Sequence, residues 1–155
     1  MTPAVRALDS SGITYVVHTY DHDRSSPFGT EAAQKLGVAA ERVLKTLVVT
    51  AADDTFAVTV IPVSTHLNLK LAAAALGAKR VAMAVPADAE RITGYLVGGI
   101  SPINQRRALT TLIDESALAF DTIFVSGGRR GLELELAPQD LSAVTGGSFA
   151  ALTDR

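Results

Sequence analysis

Two apolar stretches, VLKTLVVT (43–50) and TFAVTVI (55–61), flank the short polar segment Ala52-Asp53-Asp54. Both are rich in β-branched residues, and a short polar link between such runs predicts an antiparallel hairpin. A hairpin this apolar is not stable in water alone, so the rest of the chain must cover it with further strands and helices. One residue breaks the pattern. Side chains alternate along a strand, so Val43, Lys45, Leu47 and Val49 share one side, and Lys45 puts an ammonium group there. As structure, Lys45 is a lysine near a strand end with a buried stem and a head reaching water. As function, it points into a partly dry pocket, where desolvation lowers its pKa and strengthens its pull on an anion or a carbonyl oxygen.

The flanking sequence supplies the cover. Thr2-Pro3 before AVRAL marks a helix start, and Gly12 ends that helix. TYVVHTY (14–20) reads as a strand and DHDRSSP as a polar loop. Thr30 caps a helix, EAAQKL, that Gly37 terminates. A helix over 66–76 ends at Gly77. It is followed by a short strand (80–83), a helix (87–92) and the glycine-rich loop GYLVGGISPIN. Strands are expected at 109–113, 121–125 and 131–136, and Pro138 opens a last helix, PQDLSAVTG. Strands and short helices interleave irregularly, without the regular βαβ alternation of a dinucleotide-binding fold. The expected class is α+β: a mixed, curved, barrel-like sheet flanked by helices. No repeat or linker divides the chain, so residues 1–155 are read as one domain.

Composition narrows the function. Hydrophobic residues make up 48% of the chain, which excludes disorder as the default state. No apolar run reaches the ~18 residues of a membrane helix, and MTPAVRALDSSG does not resemble a secretion signal. The expected location is the cytoplasm, with no membrane partner. The chain has no cysteine, so disulfides, cysteine nucleophiles and thiolate metal sites are excluded. The net charge of −2 argues against nonspecific polyanion binding. Three basic pairs, Lys79-Arg80, Arg106-Arg107 and Arg129-Arg130, are either solvated surface or, if gathered on one rim, a phosphate-binding edge.

Three further motifs could carry chemistry. In the loop GYLVGGISP (94–102), Gly98-Gly99 lets a ligand approach main-chain N–H groups that can cradle an oxyanion or phosphate; otherwise it is a turn stiffened by Pro102. It is not a Walker A loop, because no Gly-Lys-Ser/Thr follows. Ser126-Gly127-Gly128-Arg129-Arg130-Gly131 follows an apolar strand, and could place a hydroxyl and N–H groups in a pocket or simply turn a hairpin. No Gly-x-Ser-x-Gly elbow supports a serine hydrolase. His18 and His22 have the spacing of two zinc ligands on a helix, but they fall in a strand and a loop, so no metal is expected. Tyr20 is either a pocket wall or core. With a lysine, glycine loops and a serine but no nucleophile–base pair, an enzyme of this kind would rely on a nucleophile brought by its substrate.

Several segments together resemble the YbaK/EbsC family of aminoacyl-tRNA deacylases: HTYDHD (18–23), VLKTLVV (43–49), LGAKRV (76–81), TGYLVGGISP (93–102), TLID (111–114) and VSGGRRGLELELAP (125–138), with MTPAV at the start. The resemblance runs from residue 1 to about residue 141. It implies a cofactor-free trans-editing enzyme that clears cysteine from mischarged tRNA(Pro), with the cysteine thiol attacking its own ester. The partners it implies are the 3′ aminoacyl end of the tRNA and prolyl-tRNA synthetase. By resemblance, Lys45 is the essential lysine that orients the terminal adenosine and supports the scissile ester. Gly98, Gly99 and Ile100 form the loop against the ester, and one of their N–H groups stabilises the oxyanion. Tyr20, Ser101, Ser126 and Gly127 contact the substrate. The family often has Gly-Leu-Asp where this chain has Gly131-Leu132-Glu133, so the acid is one methylene longer. Asn104 and Ala108 lie in a less typical stretch. The alternatives are a water-using deacylase of Ala-tRNA(Pro) or another small aminoacyl-tRNA, and a noncatalytic aminoacyl-tRNA or nucleotide binding module.

Overall fold

The computed structural model describes residues 1–23 and 30–154. Residues 24–27 of the polar loop DHDRSSP lie outside that range. The hairpin is present: β2 (Leu44–Ala51) and β3 (Thr55–Pro62) pair antiparallel from Leu44↔Pro62 to Ala51↔Thr55. A 3-10 turn over Ala52–Asp54 joins them, and Asp54 adopts a left-handed φ of 55°, a conformation aspartate tolerates better than most side chains.

The eight described strands form two sheets, where one curved sheet was expected. The larger has the order β4 (Ala82–Met83), β2, β3, β5 (Thr110–Asp114), β8 (Ser148–Ala150). Within it β3–β5 and β5–β8 are parallel and the other pairs antiparallel, so the mixed character is as expected. The smaller sheet has β7 (Leu132–Leu136) between β1 (Val16–Thr19) and β6 (Ile123–Ser126), all antiparallel. A parallel bridge, Val43↔Phe124, ties the two sheets together just before β2. β8 was not foreseen; three residues without alternation give no periodic signal.

Helices cover both faces of the large sheet, which explains why β3 is apolar on both sides. On one side, α1 (Pro3–Ser11) and α5 (Pro138–Thr145) bring Ala4, Leu8 and Leu141 against Val58, Val60, Ile113 and Leu134. On the other, Ala72 and Ala73 of α3 (Leu69–Leu76) pack on Ala57, Ile61 and Leu112. The small Ala side chains let α3 approach the sheet closely. Asn68 caps α3 by accepting from the Leu71 N–H at 3.0 Å, so the helix begins three residues later than the sequence pattern suggested. The short α2 (Thr30–Leu36) places Ala32 and Ala33 over Val43 and Phe124, on the junction of the sheets. α4 (Pro86–Thr93) leads into the glycine-rich loop.

Candidate functional site

The sheet junction creates the site. On the side away from β3, β2 is bridged to Phe124 at Val43 and pairs with β4 only at Val49 and Thr50. Between those points no strand among the described residues pairs with residues 44–47 on that side, and the two sheets diverge. A cavity of about 390 Å3 opens there. All six residues from Val43 to Val48 line it. Alternating side chains cannot all share one face, so the cavity runs along the edge of β2 rather than over a face. Lys45 is therefore on a strand edge inside a cleft, and its alternation with Val43 and Leu47 is only part of the explanation.

Lys45 is half-buried, and burial lowers its pKa. Its ammonium makes no hydrogen bond or ion pair with any described residue. A charged group that is partly dehydrated and unpaired is held at a cost, and an anionic or carbonyl oxygen would offset it.

Tyr20, Gly98, Ile100 and Ser126 also line the cavity. Gly98 has φ 94°, a left-handed turn conformation open to glycine, and Gly99 donates its N–H back to the Leu96 carbonyl at 3.0 Å. The N–H groups of Gly98 and Ile100 have no acceptor among the described residues, whereas that of Gly99 is used by the turn. Gly99 faces away from the cavity. A Cβ there would lie 2.7 Å from Arg129 Cα, so the loop packs on the backbone of the Ser126–Gly131 turn, and only glycine permits this approach. The two glycine motifs thus form one rim. Ser126 Oγ accepts from the Gly128 N–H at 3.1 Å, which makes the serine a brace for that turn. Ser101 is fully buried and accepts from the Ile103 N–H at 3.2 Å; Gly127 donates to the Leu132 carbonyl and accepts from Thr2 Oγ1. Neither Ser101 nor Gly127 lines the cavity.

The structure adds Thr46 and Glu31, which the sequence did not single out, draws Arg130 of the third basic pair into the site, and gives Glu133 an environment. Thr46 lines the cavity with a buried Oγ1 that has no hydrogen-bond partner among the described residues. Alternation places Thr46 opposite Lys45, and only the edge position brings both in. Glu31 and Arg130 face each other across the wall, Arg130 Nε donating to Glu31 Oε1 at 3.0 Å. Glu31 is buried and also meets His22 Nδ1 at 2.8 Å and the Asp23 N–H at 2.6 Å. Burial pushes its carboxyl up, but these donors outweigh burial and hold it below the usual range. A single acidic residue opening a helix gave no signal for this cluster. Glu133, on β7, is 6% exposed and lines the cavity, and its carboxyl group makes no hydrogen bond with a described residue. Burial pushes its pKa up to about 8, so it is largely protonated at neutral pH.

The histidines do not converge. His18 Nε2 meets Glu135 Oε1 at 2.8 Å, while His22 serves Glu31. Among the described residues no group of three or more His, Cys, Asp or Glu side chains could hold a metal ion. No helix among them is long and apolar enough to cross a membrane.

Residues 29–144 match the profile of the aminoacyl-tRNA editing domain. The chain is 34% identical over 154 residues, 99% of its own length and 94% of the relative's, to EbsC of Enterococcus faecalis, named as a candidate Cys-tRNA(Pro)/Cys-tRNA(Cys) deacylase. Two solved structures share the fold. One is the hypothetical protein APE2540, with TM-score 0.89 and 25% identity over 99% of this chain and 100% of that one. The other, a candidate trans-editing enzyme for prolyl tRNA synthetase, has TM-score 0.83 and 24% identity over 100% and 99% of the respective chains.

Proposed function

This chain belongs to the aminoacyl-tRNA editing domain family, and from that premise we propose that it is a trans-acting deacylase that clears cysteine from mischarged tRNA(Pro). The observation that carries this reading is the unpaired, half-buried ammonium of Lys45 in a cleft that also offers the free N–H groups of Gly98 and Ile100. These are cationic and neutral donors without an acceptor among the described residues, as developing charge on an ester oxygen requires. No activated nucleophile accompanies them among the described residues. Ser126 supports a turn, and no histidine is hydrogen-bonded to it.

The substrate supplies the nucleophile. The cysteine thiol, with a pKa near ~8.5, provides a small thiolate fraction at neutral pH. Its sulfur attacks the ester carbonyl of the same residue. The carbonyl oxygen gains negative charge, held by Lys45 and the loop N–H groups. The intermediate collapses, the C–O bond to the ribose breaks, and a cyclic thiolactone leaves. The thiol proton goes to solvent and the ribose oxygen takes up a proton. Intramolecular attack removes much of the entropic barrier. Glu133 suits this chemistry by being neutral: a carboxylate beside the thiolate and oxyanion would oppose both.

With 14 basic against 16 acidic residues, the chain has little charge for reading a tRNA body. Prolyl-tRNA synthetase is therefore the partner that supplies tRNA identity. Equal clearance of Cys-tRNA(Pro) and Cys-tRNA(Cys), unaffected by the synthetase, would contradict that part.

The test compares release of Cys, Ser and Ala from tRNA(Pro). The thiol mechanism predicts rapid loss of Cys, little loss of Ser and none of Ala. Alanine release at a similar rate would assign the attack to water. No release from any of the three would leave a binding module.

A further inference from the structure

The mouth of the cleft is chemically lopsided. One wall consists of the apolar rim formed by β4, the start of α4 and the loop after α4. Four large hydrophobic side chains are exposed on it: Met83 (45%), Val85 (59%), Leu96 (74%) and Val97 (47%). Met83 and Val97 line the cavity, and Val85 and Leu96 adjoin lining residues in the chain. No charged residue occurs in 81–87 or 94–105. Arg130, anchored by Glu31, also lines the cavity. The apolar rim is also fixed in place: Glu90 Oε2 accepts from the Val97 N–H at 2.8 Å, and the Ala84 N–H donates to the Val48 carbonyl at 3.0 Å. Apolar side chains exposed on a rigid support, at the opening of a polar cleft, are the composition of a binding surface.

We propose that the Met83–Val85–Leu96–Val97 rim is the seat of the unpaired terminal nucleobase of the nucleic-acid substrate, with the nucleotide's phosphate toward Arg130. The proposal rests on the deacylase reading for its choice of occupant. An acyl group in the cleft is ester-linked to a ribose, and the base on that ribose must come to rest within a few ångströms of the mouth. Exposed apolar side chains accept the flat face of a base, and a guanidinium accepts phosphate. A protein partner seated on the same rim would close the mouth to the ester.

The substitution Val85→Ser with Leu96→Ser tests this. Both side chains are exposed and lie outside the catalytic groups, so the melting temperature serves as the folding control. Neutral serines alter no charge. Two esters are compared, cysteinyl-adenosine 5′-monophosphate and cysteine ethyl ester, which has no base. The expected result is a KM raised about tenfold for the nucleotide ester and unchanged for the ethyl ester. Equal changes for both esters, or none for either, overturn the proposal and leave the deacylase reading intact. In parallel, binding of the trinucleotide CCA is measured by calorimetry. Weaker binding by the double variant supports the base seat even if the wild type hydrolyses neither ester, in which case only the deacylase reading fails. Equal binding by both proteins overturns it. Leu96→Phe, which offers a flatter surface, should tighten CCA binding.

Discussion

Two buried glutamates line one cavity and have opposite properties. Glu31 receives the Asp23 N–H, His22 and Arg130, and its pKa lies below the ordinary value. The Glu133 carboxyl group receives no hydrogen bond from the described residues, and its pKa rises to about 8. Burial disfavours the charge of both; partners decide the outcome. The difference separates what builds the cleft from what faces its ligand. Glu31 ties the segment before α2 to the Ser126–Gly131 turn. Glu133, Thr46 and Lys45 are polar groups left for something that enters.

This contrast can be broken by mutation. The largest stability effect belongs to Glu31. Glu31→Ala removes the buried carboxylate that accepts from Arg130 and the Asp23 N–H and meets His22, and should cost about 3 kcal/mol in chemical denaturation. A loss under 1 kcal/mol would mean that the cluster does not hold the wall. Glu133→Gln should act in the opposite direction. From pH 4.5 to about 8 the unfolded chain releases the Glu133 proton and the folded chain keeps it, so wild-type stability falls as pH rises through that window. Gln removes the penalty, giving a gain of about 2 kcal/mol or more at pH 8 and none near pH 4. For Glu31 the sign is reversed: its stabilisation is present above its ordinary pKa of 4.5 and is lost as pH falls through its lower folded value. A pH-independent difference between Glu133→Gln and wild type would refute the raised pKa. Smallest is Thr46→Val, which removes an unpaired buried hydroxyl at nearly constant volume; it should stabilise by about 1 kcal/mol.

Local features of this fold were legible in the sequence, and distant ones were not. Gly12, Gly77, Gly94 and Gly146 all end helices in the left-handed conformation, a property of glycine itself. The β2–β3 hairpin follows from two apolar runs and a short link. The junction of the two sheets depends on the Val43↔Phe124 bridge, between residues far apart in the chain, and β8 is too short to show a period. Lys45 drew attention because it interrupts an apolar strand. Thr46 did not, because a threonine in a strand is ordinary until its hydroxyl proves to be unpaired. The Glu31–Arg130 contact joins α2 to the β6–β7 turn across 99 positions, and neither residue signals the other. The Gly98-Gly99 pair was legible as a tight loop. That Gly99 packs on Arg129, while Gly98 and Ile100 face the cavity, is a matter of tertiary approach.

The central claim is that an unpaired ammonium in the cleft serves the ester. The direct measurement is the single-turnover rate of Cys-tRNA(Pro) deacylation by the wild type and by Lys45→Met, which keeps an apolar stem and removes the charge. The account predicts a rate lower by about 100-fold with no loss of melting temperature, because no protein partner is orphaned. An unchanged rate with the fold intact would contradict it.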